Sequence, residues 1–423
     1  MSEGSTTASV ASPENDNARL KKRFRPLYWH IFFQSLMLWY AIEKLFMQSI
    51  RFNNAQIAFA GILISATMVL LQVPTGILAD RWSRKGTLFL GLALLTLNAL
   101  AGLFSHSVAP YLWGCSISWG AFAAIRFGTY DAIVYDVLQE ETGEAKRFEH
   151  YYGRTQLYAS VGFILAALAS GVIGNLVNLR ATYWMSLPLV AVSALALAWF
   201  REPTIHKTQV KSSLVSHTRE TLRAVGRTGY VFWIVATMVL FGMIGRLLVN
   251  LSPVWYLAFA LPAFWWGPAY AVIHLPGVIA GSIVSYIRRS RLRILTFSLV
   301  VCAATATLVL RDSAAATVVA QTVALTGYAA FSILLSRKLH DELPSHIRAG
   351  SSSVVGTLAQ VVFIPVTLLF GWLSNTYSIF AAAWVVVAVT VVALSIFCVK
   401  VMSHRSSFPA NEGDIIEAEA LLE

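Results

Sequence analysis

The chain has 423 residues, of which 57% are hydrophobic and only 13% are charged. A water-soluble domain carries about 25% charged residues, so this composition excludes an ordinary soluble fold and indicates a protein of the lipid bilayer. Backbone groups in lipid must all be paired, and the apolar runs here are continuous rather than alternating, which favours spanning helices over a β-barrel. The formal net charge is +11, and the positions of the basic residues decide its meaning.

The N-terminal segment 1–26 is predicted to be a disordered tail, because its first residues are rich in Ser, Thr, Ala and Asn. A basic stretch at 19–25 then precedes a long apolar run that contains Glu43 and Lys44. This run has no small-residue cleavage site, so it is interpreted as a retained first span and not as a signal peptide.

Roughly 20 apolar residues are needed for a helix to cross a bilayer. The sequence predicts twelve such spans, at 27–50, 55–79, 86–106, 109–137, 152–175, 181–200, 229–250, 262–287, 292–310, 314–335, 350–374 and 376–400. The expected organisation is an N-terminal six-helix bundle (27–200), a basic linker (201–228), a C-terminal six-helix bundle (229–400) and a polar tail (401–423).

The basic residues lie almost entirely on one side of these spans. If the N-terminus is cytoplasmic, the outside loops hold only Arg51, Arg180 and Arg311, and every inside segment is basic. The positive-inside rule then predicts that both termini are cytoplasmic. Topology therefore accounts for the net charge, and a nucleic-acid partner is not needed.

The two halves are related by a weak repeat. A constant offset aligns Gly76 with Gly281, Arg84 with Arg289, and Asp136 with Asp341. Asp136 and Asp341 each close the fourth span of their half, which indicates a parallel duplication of a six-helix unit.

The loop after the second span carries a recognisable motif, Gly76-Ile77-Leu78-Ala79-Asp80-Arg81-Trp82-Ser83-Arg84-Lys85. It resembles the signature Gly-x-Leu-Ala-Asp-Arg-x-Gly-Arg-Lys of the major facilitator superfamily, with Ser83 in place of the second Gly. Segments around Asp136 and before the eleventh span resemble those of bacterial drug-efflux-like members. The resemblance implies an all-α membrane protein with twelve transmembrane helices in two six-helix bundles, placed in the bacterial inner membrane.

The resemblance also gives the motif a role. Charges at the ends of neighbouring helices can pair in one conformation and part in another. The predicted conformational gating motif comprises Gly76, Asp80, Arg81, Arg84, Lys85 and Asp136. The alternative interpretation is that these residues are topology signals and helix caps.

Ionisable residues within spans form the second candidate set. A charge at that depth costs at least ~2.5 kcal/mol, so its presence needs a reason. Glu43, Arg126, Asp131 and Arg246 are the candidates for the substrate or proton pathway. Glu43 and Arg246 occupy equivalent spans at a similar depth, which favours a pair across a central cavity; the alternative is a local pair of Glu43 with Lys44.

Arg126 and Asp131 are five residues apart, which places them about 140° apart on a helix, so we expect different partners. Asp131 is the better proton-site candidate, because a buried carboxylate titrates closer to neutrality. His274 is either a second proton carrier or a buried structural histidine. Trp39, Trp255 and Trp266 are interpreted as interfacial belt residues, with Trp39 as an alternative pocket residue.

No nucleotide-binding loop, metal-ligand spacing or catalytic cluster occurs in the sequence, so we predict no cofactor, no metal site and no enzymatic activity. The predicted function is secondary active export of a small organic molecule, such as a drug, a siderophore or another metabolite, by proton antiport with alternating access. The alternatives are import of a small organic nutrient by symport or uniport, and a non-transporting membrane sensor. The expected partners are the substrate, the lipid bilayer and a proton, with the chain as a monomer.

Overall fold

The computed structural model describes residues 13–126, 129–143, 147–203, 229–342 and 345–402, and within these ranges the regular elements are all helices. The helices of the first half are α1 (Pro13–Ser35), α2 (Glu43–Ser49), α3 (Asn54–Arg81), α4 (Arg84–Phe104), α5 (Val108–Tyr111), α6 (Ile117–Arg126), α7 (Thr129–Thr142), α8 (Phe148–Leu176) and α9 (Ala181–Trp199). Those of the second half are α10 (Gly229–Ala258), α11 (Ala263–Val272), α12 (Pro276–Ile287), α13 (Arg291–Ala306), α14 (Ala314–Glu342), α15 (Ser345–Thr376) and α16 (Ile379–Ile396). Short π-helical segments lie at Leu112–Ser116 and Phe397–Met402, and a 3₁₀ turn lies at Thr307–Val309.

Ten helices of the described chain are long and apolar enough to cross a membrane. The other two predicted spans, the first and the eighth, are interrupted. In the eighth, α11 ends at Val272 and α12 begins at Pro276. Proline lacks an N–H group and its ring clashes with the carbonyl four residues earlier, here that of Val272, which disfavours a continuous helix over 262–287.

The first predicted span breaks over Leu36–Ile42, between α1 and α2, although no proline lies there. The backbone amide of Leu38, freed from the helix, donates to the hydroxyl of Ser186 on α9 at 3.1 Å. A backbone group inside the bilayer needs such a partner, because no water is present to replace it. The expectation of one helix over 27–50 is therefore wrong.

Helix α1 also begins earlier than expected. It starts at Pro13, so residues 13–26 are helical and do not belong to a disordered tail. Leu20 and Phe24 are fully buried, and Arg23 bridges Glu140 and Glu141 at the end of α7. Apolar contact and ion pairing thus hold this part of the chain against the N-terminal bundle.

The helices pack into two bundles that follow the two halves of the sequence. In the first half, α1 packs against α8 and α9, α3 packs against α6, and α4 packs against α6 and α9. In the second half, α10 packs against α14, α15 and α16, and α14 also packs against α12 and α13. This is the two-bundle arrangement expected from the sequence.

The bundles meet closely at one end, where α3 contacts α15 and α8 contacts α11. A Cβ atom added to Gly267 would lie 2.2 Å from the carbonyl oxygen of Ala167. At the second contact, Asn54 Nδ2 donates to Ser374 Oγ at 3.0 Å. By contrast, α8 hardly touches α12, so the bundles separate toward the opposite face, where α3 ends at Arg81.

Candidate functional site

The break in the first span brings an aromatic cluster to the boundary between the bundles. Trp39 stacks on Tyr183, with ring centroids 5.5 Å apart, and meets Trp119 edge-on at 5.3 Å. Tyr40 packs edge-on against Tyr270 of α11 at 5.6 Å. The unwound segment therefore carries a side chain of the N-terminal bundle into contact with the C-terminal bundle.

Burial corrects the interpretation of the tryptophans as a membrane belt. Trp39 is 1% exposed, so it neither lies at the interface nor lines an open pocket. Trp255 and Trp266 are fully buried, and their indole N–H groups donate to the carbonyls of Leu308 and Leu261. A buried indole needs such a partner, which explains how these rings pack in the core.

Arg126 projects among aromatic rings. Its guanidinium carbon lies 5.7 Å from the ring centroid of Phe122 and 5.9 Å from that of Tyr130. Its Nε atom is buried without a hydrogen-bond partner, and no carboxylate of the described chain lies within 4.0 Å of its guanidinium. The rings attract the cation, but they do not neutralise its charge.

Arg246 of α10 is the matching cation of the other bundle. Its Nε atom is also buried without a partner, and no described carboxylate pairs with it. The hydroxyl of Tyr40 interacts with the charges of both Arg126 and Arg246. Tyr40 is therefore near two guanidinium groups that belong to opposite bundles, and its hydroxyl also interacts with the charge of Glu43.

Glu43 does not pair with Arg246, so the predicted pair across the cavity is wrong for this structure. Its carboxylate lies 2.5 Å from Lys44 Nζ and accepts a hydrogen bond from Tyr111 at 3.0 Å. Glu43 and Lys44 are 8% and 6% exposed. Since α2 begins at Glu43 after the break, the side chain turns back into the N-terminal bundle, as the alternative of a local pair had anticipated.

Asp131 is half-buried, and within the described chain no basic side chain lies within 4.0 Å of its carboxylate. The hydroxyl of Tyr152 on α8 interacts with the charges of both Asp131 and Arg126. Among the described residues the two make no direct contact in common, but both influence the hydroxyl of Tyr152. His274 lies beside the aromatic cluster, with its ring 4.6 Å from that of Tyr270.

Part of the predicted gating motif forms one cluster. Arg84 donates to Asp136 and, at 3.4 Å, to Asp80. Lys85 instead donates to the carbonyls of Ala198 and Phe200, which end α9. Arg81 is exposed and Gly76 has open space around it, so neither joins the contacts of the other motif residues.

The sequence did not predict the roles of two further residues of this cluster. Ser83 caps α4, because its hydroxyl oxygen accepts from the amide of Gly86 at 2.8 Å. The same hydroxyl donates to Glu202 at 2.7 Å, and Glu202 also accepts from the amide of Lys85. A serine before a helix is a known capping signal, whereas nothing local marks Glu202, which lies after α9.

A third missed feature is a buried polar network around His30. Its Nδ1 atom lies 2.8 Å from Ser193 Oγ, and its Nε2 atom lies 3.0 Å from the hydroxyl of Tyr130. Tyr130 donates in turn to Gln34. The network ties α1, α7 and α9 together, and the ring of its member Tyr130 also lies near Arg126.

Comparison with known proteins identifies the family. The family model described as Major Facilitator Superfamily matches residues 27–367, and the chain belongs to this superfamily. Comparison with curated proteins finds no match.

Solved structures with the same fold are similar over nearly their whole length. A bacterial homologue of the lysosomal transporter Spinster is 12% identical, with a TM-score of 0.70, 94% of this chain covered and 99% of that chain. A bacterial homologue of the iron transporter ferroportin is 16% identical, with a TM-score of 0.67 and coverage of 92% and 99%. A D-xylose-proton symporter is 11% identical, with a TM-score of 0.67 and coverage of 95% and 99%.

Proposed function

We propose that the protein is a secondary active transporter that exports a small organic molecule with an acidic or zwitterionic group, in exchange for protons, by alternating access. The observation that carries this proposal is the pair of half-buried arginines, Arg126 and Arg246, whose Nε atoms are buried without a hydrogen-bond partner and which lack a carboxylate partner in the described chain. They come from opposite bundles, as expected for a site at the interface of two repeats.

The electrostatics favour an anionic ligand. An unpaired charge within a membrane protein is costly and marks a substrate or ion pathway. A carboxylate or phosphate group placed between the two guanidinium groups would relieve both charges and accept bidentate hydrogen bonds. Tyr40 and Tyr130 would supply the apolar walls of the site.

Asp131 is the proposed proton carrier. It is half-buried and has no basic partner among the described residues, so a proton can bind without first breaking an ion pair. Because Asp131 and Arg126 act on the same hydroxyl, that of Tyr152, loss or gain of a proton changes the potential near Arg126. Glu43 is proposed as a second carboxylate of the pathway. To act there, it must first break its ion pair with Lys44.

The proposal is tested by flux in proteoliposomes with an imposed pH gradient, using acidic metabolites, zwitterionic drugs and their neutral analogues. Asp131→Asn is compared with the native protein and with Asp312→Asn, which changes an exposed carboxylate. We expect the gradient to drive the acidic compounds, and Asp131→Asn to abolish that drive while leaving binding intact.

The direction of transport is measured in the same proteoliposomes. Substrate movement against the proton flux supports export by antiport, whereas movement with the proton flux supports uptake by symport. If neither the pH gradient nor Asp131→Asn changes the flux, Asp131 is excluded as the coupling site. Binding of acidic compounds without any flux would support the sensor alternative.

A further inference from the structure

A cleft lies between α1 and α9 on the outer surface of the N-terminal bundle, away from the two central arginines. Its volume is about 650 Å³. Lys22 and Arg25 form its rim, and Trp29, Phe33, Leu195 and Trp199 are prominent in its wall. The cleft thus combines two cations with an otherwise apolar lining.

The rim and the wall lie at different depths in the bilayer. The contact of His30 with Ser193, 2.8 Å long, fixes the register of the antiparallel helices α1 and α9. Trp199 lies about 9 Å from Ser193 along α9, which is level with the rim residues Lys22 and Arg25 on α1. Along α1, Phe33 lies about 16 Å from Lys22, on the far side of His30 from the rim. This distance is close to the ~15 Å thickness of half a hydrocarbon core.

The wall faces outward. Trp199 is 81% exposed and Leu195 is 62% exposed, so within a bilayer these side chains contact lipid. A tryptophan at the level of the charged rim is typical of the interface between the hydrocarbon and the headgroups. The cleft therefore runs from the headgroup level into the acyl region of one leaflet.

The two rim cations have no counter-charge in the described chain. On the neighbouring face of α1, Arg19 and Arg23 pair with Glu140 and Glu141. Lys22 and Arg25 are exposed and make no such ion pair. The acidic residues of α7 thus neutralise one face of the helix and leave the face above the cleft positive.

We propose that this cleft seats one anionic phospholipid. Its phosphate lies between Lys22 and Arg25, and one acyl chain runs down the cleft past Trp29 toward Phe33. Basic pockets between transmembrane helices favour anionic headgroups over zwitterionic ones. The length of the apolar wall requires a lipid, since a free phosphate ion would occupy only the rim.

The test measures lipid binding to the full-length protein in nanodiscs of phosphatidylcholine with a small fraction of phosphatidylglycerol. In parallel samples, an equal small fraction of lipid carries bromine on its acyl chains, either as phosphatidylglycerol or as phosphatidylcholine, and the bromine quenches nearby tryptophans. We expect brominated phosphatidylglycerol to quench more than brominated phosphatidylcholine, and Trp29→Phe/Trp199→Phe to remove the difference. Native mass spectrometry then gives the relative affinity of the retained lipid.

Lys22→Gln/Arg25→Gln should lower the phosphatidylglycerol affinity about 25-fold, at about fivefold for each basic residue. The matched control is Arg288→Gln/Arg289→Gln, which removes two exposed cations that directly follow α12 and should retain the bound lipid. If both variants lose the same affinity for phosphatidylglycerol, the effect comes from the general surface potential, and the proposal is overturned. Displacement of the lipid by millimolar inorganic phosphate, or equal quenching by both lipids, would also overturn it.

Discussion

The guanidinium of Arg84 donates to the carboxylate of Asp136 and so joins the start of α4 to α7 within the N-terminal bundle. The two side chains are 11% and 10% exposed. Asp80 adds a second, longer contact to the same guanidinium, at 3.4 Å, and its side chain is 39% exposed. Asp136 is therefore the main partner of Arg84, and Asp80 makes the weaker contact.

The first prediction concerns this difference. Asp136→Asn leaves Arg84 buried without its main counter-charge, which costs about 3–5 kcal/mol for a pair of this kind. Asp80→Asn removes an exposed contact that contributes about 0–1 kcal/mol. We expect a large fall in the thermal unfolding temperature and in transport for Asp136→Asn and a small one for Asp80→Asn, measured at equal expression. The opposite order would refute the assignment of Asp136 as the main partner.

The second prediction concerns the closed end of the molecule. Because Asn54 and Ser374 touch across the bundles, cysteines at both positions should cross-link and stop transport, and a reductant should restore it. The experiment uses a background in which Cys115, Cys302 and Cys398 are replaced by alanine. Each single cysteine variant serves as control. Full transport by the cross-linked protein would show that this contact does not part during the cycle.

The third prediction concerns the contact between α8 and α11. Gly267→Ala places a methyl group 2.2 Å from the carbonyl oxygen of Ala167, which forces the two helices apart. We expect a lower yield of the cross-link between positions 54 and 374, together with a more than tenfold loss of transport. Gly281→Ala is the matched control, since a Cβ there has nothing within 4 Å. Similar losses in both variants would argue against close packing at Gly267 as the cause.

The fourth prediction separates structure from coupling at Glu43. Glu43→Gln leaves Lys44 buried without a counter-charge, so we expect a loss of stability of about 3–5 kcal/mol. Glu43→Gln/Lys44→Met removes both charges and should recover most of that stability. If the double variant is stable but has lost proton-driven flux, Glu43 also acts in coupling; if flux returns with stability, its role is structural.

The sequence predicted the medium, the fold and the cluster of Asp80, Arg84 and Asp136, because hydropathy and a charged loop motif report these directly. Pro276 lies at the break in the eighth span, but α3, α10 and α15 run through Pro74, Pro253 and Pro365 without a break, so a proline alone does not predict one. The break at Leu36–Ile42 contains no proline, and it depends on Ser186 and on rings of distant helices.

The sequence also did not show which residues of a span are buried in the protein. A helix face that meets another helix and a face that meets lipid are both apolar, so composition does not distinguish them. Trp39 and Trp266 were therefore assigned to the interface although they lie in the core. The sequence predicted the local pair of Glu43 with Lys44 only as an alternative, because the direction of the Glu43 side chain depends on where α2 begins.

The last prediction concerns the two central arginines. If they bind the acidic group of the substrate, Arg126→Gln and Arg246→Gln should each remove a charge-assisted interaction of about 1.5–3 kcal/mol, which weakens binding by roughly tenfold to a hundredfold. Arg246→Lys keeps the charge but loses the bidentate geometry, so its effect should be intermediate. Calorimetric titration with an acidic substrate and its neutral ester measures these changes. The ester should bind the native protein and the variants alike, whereas equal weakening for acid and ester would mean that the arginines hold the bundles and not the ligand charge.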